Sequence, residues 1–386
     1  MYAPLRSAAL LAVLLATGAS AAHAQDAGAL ATVTGTARDA DGRPLPGANV
    51  YLSGTTRGAS ADAQGRYRIQ DVAPGEYRLV GSMVGYAADV RPVRLGAGQE
   101  AHVDLALSPS VEALRAVAVE ATADNLWRRR FARFAKVVLG ESDNARATWI
   151  VNPEVLDFTS SRGTLSATAA APLIIENRAL GYRLRYDLHA FSDSRHGSHY
   201  DGDEVFEEIE PSSVADSLRW AEARERAWRG SLRHLLRTLV EGTAEAEGFT
   251  MTMTFDAFPR NPFRVQCQIG PAPPPTSARH VVRLRDGVPT LIVPGTLNVT
   301  YHREPEEGAY LLSEWYPGSP GRPYDRQRSY LRVDGRSTPL ANDGVPVYPL
   351  SIRTSGYMGF ERLADRVPRG YGLGAPARPE LANVAP

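Results

Sequence analysis

The sequence predicts a mainly β protein: an N-terminal β-sandwich followed by an α+β domain with a large antiparallel sheet and a helical insert. Three observations predict it. Between residues 32 and 107, short β-prone runs separated by glycine turns recur at about the 8 to 12 residue spacing of an all-β sandwich. Beyond residue 148, longer runs alternate apolar and polar residues with period two. One stretch, 212–242, instead carries a helical period.

The first 24 residues, "MYAPLRSAALLAVLLATGASAAHA", hold Arg6, an apolar run from Ala8 to Ala16, and the small-residue ending Ala22-His23-Ala24. That order is expected of a signal peptide cleaved before Gln25. The apolar run is far shorter than the roughly 20 residues of a membrane span. No cysteine lies near the cut, which leaves no site for a lipid anchor there. Cys267, in "FRVQCQIG", is the sole cysteine, so no internal disulfide can form; alternation with Val265 and Ile269 reads as a small buried side chain on a strand. With 43 basic and 43 acidic residues the net charge is zero, which gives no global grip on nucleic acid.

The segments "TVTGTAR", "ANVYL", "RYRI", "EYRLVGSM", "DVRPVRL" and "HVDLAL" are separated by Asp41-Gly42, Gln64-Gly65 and Pro74-Gly75, residues suited to tight reversals. In "EYRLVGSM", Tyr77, Leu79 and Gly81 fall on one face and Arg78 and Val80 on the other, predicting one packed side and one wetter side. The sandwich is expected over 25–110, a linker strand ("LRAVAVEA", 114–121) within 111–124, the α+β domain over 125–371 and a disordered tail over 372–386.

In "DNLWRRRFARFAKVVLGES", Trp127, Phe131, Phe134 and Val138 share a helical face, with Asp124 or Asn125 as N-cap and Gly140 past the end. Packing by that stripe is favoured over a lipid-touching role for Arg128, Arg129, Arg130, Arg133 and Lys136. Strand-like runs follow, among them "ATWIVNPEVLDF", "GTLSATAAAPLIIEN", "RHVVRLRDG" and "LGYRLRYDLHAFS", the last with Tyr182, Leu184, Tyr186 and Leu188 alternating with Arg183, Arg185, Asp187 and His189. In the insert, Leu218, Ala221, Trp228, Leu232, Leu235 and Leu239 form the expected apolar stripe, with Ser231 capping a second helix.

The Gly35 and Asp39 start, "PLPGANV", "GTTRGASADAQGRY", "VAPGEYRL" and Gly85-Tyr86 fall in the order of the carboxypeptidase regulatory-like module, which residues 32–107 resemble. The resemblance implies a seven-stranded transthyretin-like (prealbumin-type) sandwich with an accessory or adhesive role and no catalytic residues. It also implies company in the cell envelope, where such modules precede outer-membrane receptors. Residues 125–371, through "NPEVLDF" and "IENRALGY", are similar to a poorly characterised domain of exported Bacteroidetes-type and Rhodothermus-type proteins, with no implied activity. None of the eight histidines has glutamate three residues on, so the His-x-x-Glu zinc pair of a metallocarboxypeptidase is missing. GxSxG, P-loop, GxGxxG and CxxC motifs are missing as well.

Three stretches carry candidate chemistry. "SDSRHGSHYDGDEVFEE" gathers the possible metal ligands His196, His199, Asp201, Asp203 and Glu204, although a polar hairpin loop explains the same letters. Glu154 and Asp157 are candidate paired carboxylates, on opposite faces if the run is a regular strand. "YHREPEEG", 301–308, adds a carboxylate group expected in a hairpin turn. The expectation is a non-catalytic exported protein of the periplasm or outer membrane of a Gram-negative-type bacterium. It would have no cofactor and would bind an envelope protein or glycan, with an outer-membrane barrel as one such partner, and neither nucleic acid nor a membrane span after signal cleavage. The alternative is an exported hydrolase of peptide or glycan using metal or carboxylates.

Overall fold

The computed structural model describes residues 29–109, 125–195, 197–255, 275–314, 316 and 326–372. The expected signal peptide, the expected linker strand at 114–121, His196, Cys267 and the tail beyond residue 372 lie outside them.

The chain is mainly β. Nine strands form the N-terminal sandwich: β1 (Ala31–Asp39), β2 (Asn49–Leu52), β3 (Gly58–Ser60), β4 (Arg66–Val72), β5 (Gly75–Ser82), β6 (Tyr86–Ala87), β7 (Asp89–Leu95), β8 (Glu100–His102) and β9 (Leu105–Pro109). One sheet runs β4-β1-β9-β6 with β8 beside β1, and the other runs β3-β2-β5-β7. Alternate side chains of both sheets, including Val33, Val50, Leu52, Ile69, Leu79, Leu105 and Leu107, fill the space between them. Gly81 is needed in that layer, because a methyl group on it would press into Leu105.

The rest of the chain begins with α1 (Asn125–Leu139). Its aromatic stripe packs on a six-stranded sheet: Phe134 lies 4.7 Å from Phe191 and 5.7 Å from Phe158, ring centre to ring centre. That sheet holds β10 (Thr148–Ile150), β11 (Leu156–Ser161), β12 (Thr164–Ala169), β13 (Leu173–Asn177), β14 (Tyr182–Ser194) and β15 (Gly197–Glu208). Its order is β10-β13-β14-β12-β11, with β15 on the other side of β14. Tyr182, Leu184 and Tyr186 point into the core with α1, as their alternation requires. The run "GTLSATAAAPLIIEN" divides into β12 and β13.

Two helices follow, α2 (Val214–Trp228) and α3 (Leu232–Glu241), capped by the Ser213 and Ser231 hydroxyls. The buried face of α2 is Trp220, Ala223, Ala227 and Trp228. Leu218 is 53% exposed and Ala221 also faces solvent, so the expected stripe is corrected by about one position. The reason is the Trp220 ring, which covers Gly181 and donates its indole N–H to the Arg178 carbonyl at 2.8 Å. A four-stranded sheet, β16 (Phe249–Thr254), β19 (Thr296–Tyr301), β20 (Gln327–Val333) and β22 (Ile352–Gly356), packs on α3. A smaller sheet joins β17 (Val282–Arg285), β18 (Val288–Ile292) and β21 (Ser337–Pro339). The run "RHVVRLRDG" opens as a helical turn, α4 (Ala278–Val281), before β17 begins. Residues 301–308 make no tight hairpin, because they lead from β19 into the short helix α5 (Gly308–Leu311). Near the C-terminus α6 (Tyr357–Phe360) packs its rings with Tyr310 and Tyr316.

Candidate functional site at the sandwich seam

The most elaborate polar arrangement among the described residues lies where the sandwich meets β14 and β15. It starts from an awkward register. Asp187 and Asp203 stand directly opposite each other across the β14–β15 ladder, and like charges so placed repel. The sandwich supplies the groups that resolve this. The Tyr51 hydroxyl and the Ser82 hydroxyl (3.0 Å) both donate to Asp187. Arg78 reaches Asp203 at 2.5 Å, and His189 approaches the same carboxylate at 3.4 Å. Burial raises the Asp203 carboxyl above its ordinary range, with Arg78, then the Ser53 hydroxyl and then His189 working against the rise. Burial, and then the neighbouring Asp187, push the Tyr51 phenol well above its usual value.

The seam continues as backbone. The Gly54 N–H donates to the Glu204 carbonyl (2.6 Å) and the Phe206 N–H donates to the Thr55 carbonyl (2.9 Å), so that Thr55 extends the six-stranded sheet beyond β15. Tyr51, Val80 and Val205 form an apolar patch beside these bonds. Val80 is therefore fully buried, which corrects the expected wetter side of β5: the second half of the chain covers it. Farther along, the Arg369 N–H donates to the Gly54 carbonyl at 2.6 Å, and its guanidinium lies 4.5 Å from the centre of the Tyr77 ring. The same guanidinium grips Asp343 with two bonds of 2.5 and 2.8 Å.

Among the described residues, the candidate ligands from the sequence do not gather. His199, Asp201 and Asp203 lie at alternate positions of β15, which is a strand where a polar loop was expected, and they grade from exposed to fully buried. Glu204 turns to the opposite face and pairs with Arg366 at 3.0 Å. Among the described residues, no three of His, Cys, Asp or Glu are placed to hold a metal ion. Glu154 sits on a helical turn before β11 and Asp157 on β11, both exposed. Glu304, Glu306 and Glu307 are each pushed up to about 7 by burial.

Sequence reasoning missed Tyr51, Arg78 and Ser82 as a docking face, with Asp187 as the target of the two hydroxyls and Asp203 as that of Arg78. Two bulky apolar side chains, Tyr51 and Val80, at outward positions of a small sandwich were the available signal.

Comparison with known proteins follows the same division of the chain. A stretch of 87 residues is 37% identical to a TonB-dependent receptor of Formosa agariphila, covering 22% of this chain and 8% of the receptor. Among solved structures, a cohesin–X-dockerin complex from Acetivibrio cellulolyticus is similar at 24% identity, covering 20% of this chain and 58% of that one, with a TM-score of 0.18. A minor pilin of Streptococcus agalactiae is similar at 17% identity, covering 21% and 45%, with a TM-score of 0.19. No helix among the described residues is long and apolar enough to cross a membrane. Residues 32–108 match the model of one family throughout, and this part of the chain is a carboxypeptidase regulatory-like domain.

Proposed function

We propose that the protein is an exported, non-catalytic component of the cell envelope, at the periplasm or the outer membrane, that binds a protein or glycan partner. The regulatory-like domain at residues 32–108 carries this reading, supported by its likeness to part of a TonB-dependent receptor and by the signal-peptide pattern of residues 1–24. The seam limits where the partner can sit. The Tyr51, Arg78 and Val80 face is occupied by the chain's own β14 and β15, which leaves the other surfaces of the sandwich for binding. Crosslinking with mass spectrometry on envelopes of the native host tests the reading. Crosslinks from residues 32–108 to an envelope protein, or retention of a polysaccharide on native purification, are expected. Recovery of the chain alone, with self-crosslinks only, would contradict it.

A further inference from the structure

Behind the seam, where α3, the 341–345 loop and the segment Arg366–Arg369 meet, three guanidinium groups stand near only two carboxylates. Arg366 is paired with Glu204 at 3.0 Å, and Arg369 is paired with Asp343. Arg233, in the first turn of α3, donates to the Val367 carbonyl at 2.5 Å, between the two other arginines in sequence. No carboxylate lies within ion-pair distance of Arg233 among the described residues. Asp343 and Glu204 act on it only from farther off, and both are already engaged.

The imbalance is costly where it sits. Burial pushes the Arg233 guanidinium down to about 10, with Asp343 offsetting part of the effect. A guanidinium in such surroundings is stabilised by an anion that takes its unused N–H groups. Access exists, since the Arg366 side chain is 41% exposed and Arg233 is only partly buried. The Arg fork matches two oxygens of one acceptor, the geometry of a carboxylate, sulfate or phosphate.

We infer that Arg233 and Arg366 form a binding site for a small oxyanion, behind the seam between the sandwich and the rest of the chain. The bound anion would supply the third negative charge and would tie α3 to the Arg366–Arg369 segment. Because that segment also holds Gly54, anion binding would stiffen the seam itself.

Titration calorimetry of the purified protein with inorganic phosphate, sulfate and glucuronate, at ionic strength fixed with chloride, tests the site. At least one of the three should bind saturably and raise the melting temperature. Arg233→Met should weaken that binding by about tenfold or more, the size expected for losing a charge-assisted bond. Arg233→Lys, which keeps the charge without the fork, should fold and bind more weakly than the parent. Phosphate or sulfate binding without glucuronate binding would identify a tetrahedral anion; the reverse would identify an acidic sugar. The inference is overturned if none of the three binds saturably, or if Arg233→Lys and Arg233→Met both bind as the parent does.

Discussion

Asp187 and Asp203 face one another across the β14–β15 ladder, and each takes its compensating groups from the sandwich on the far side of the seam. The two carboxylates are the reason the halves of this chain fit together in one way. Without Tyr51, Ser82 and Arg78 they would be paired like charges, Asp203 with Ser53 and His189 as its remaining polar neighbours.

Arg78→Met removes the main partner of a fully buried carboxylate. A loss of about 3 kcal/mol is expected in urea denaturation, at the low end for a broken buried pair because Arg78 is itself a third exposed. Adding Asp203→Asn to Arg78→Met should restore much of that loss, since the orphaned charge is then gone.

Val80 and Leu79 are neighbours on β5 with opposite duties. Leu79→Ala opens a cavity inside the sandwich and should cost about 2–5 kcal/mol. Val80→Glu places a charge against Tyr51 and Val205, and should separate the sandwich from β15 while leaving its own fold intact. Small-angle scattering should show a larger radius of gyration for Val80→Glu, with an unchanged far-ultraviolet circular dichroism spectrum.

Gly181 has φ of +69°, and a methyl group there would overlap the Trp220 ring. Gly181→Ala should therefore cost at least about 2 kcal/mol in thermal or urea denaturation, by displacing α2 from the six-stranded sheet.

Glu306 is 6% exposed, and its Oε2 has no hydrogen-bond partner among the described residues. Folding raises its pKa from 4.5 to about 7, so the folded chain holds its proton where the unfolded chain has released it. Its stabilising contribution is fully present below pH 4.5 and is lost as pH rises through 7. His234, lowered to about 4 by burial, acts oppositely, its contribution being present above about 6.5 and lost as pH falls through 4. The parent-minus-variant difference isolates Glu306. Glu306→Gln should be more stable than the parent by on the order of 1–3 kcal/mol at pH 8, with the difference vanishing toward pH 4.5.

The sandwich was legible because its signals are local: turn glycines at fixed offsets and alternation within each strand. The Ser231 cap of α3 and the inward row Tyr182, Leu184, Tyr186 were legible for the same reason. The seam was not. Arg185, Asp187 and His189 form a charged row on β14 that reads as a solvated face, and Arg78 and Val80 read as the wet side of β5. Only the packing of two elements about a hundred residues apart turns those faces toward each other. The same applies to α2, where a tryptophan drawn over Gly181 rotated the buried face away from Leu218.

The regulatory-like domain is fixed to the rest of the chain through Asp187 and Asp203. Backbone nitrogen-15 relaxation on the deuterated protein measures this directly. One rotational correlation time shared by the strand and helix amides of residues 31–109 and of the described residues from 125 to 372 is the predicted result. Two distinct correlation times, the shorter belonging to residues 31–109, would contradict it.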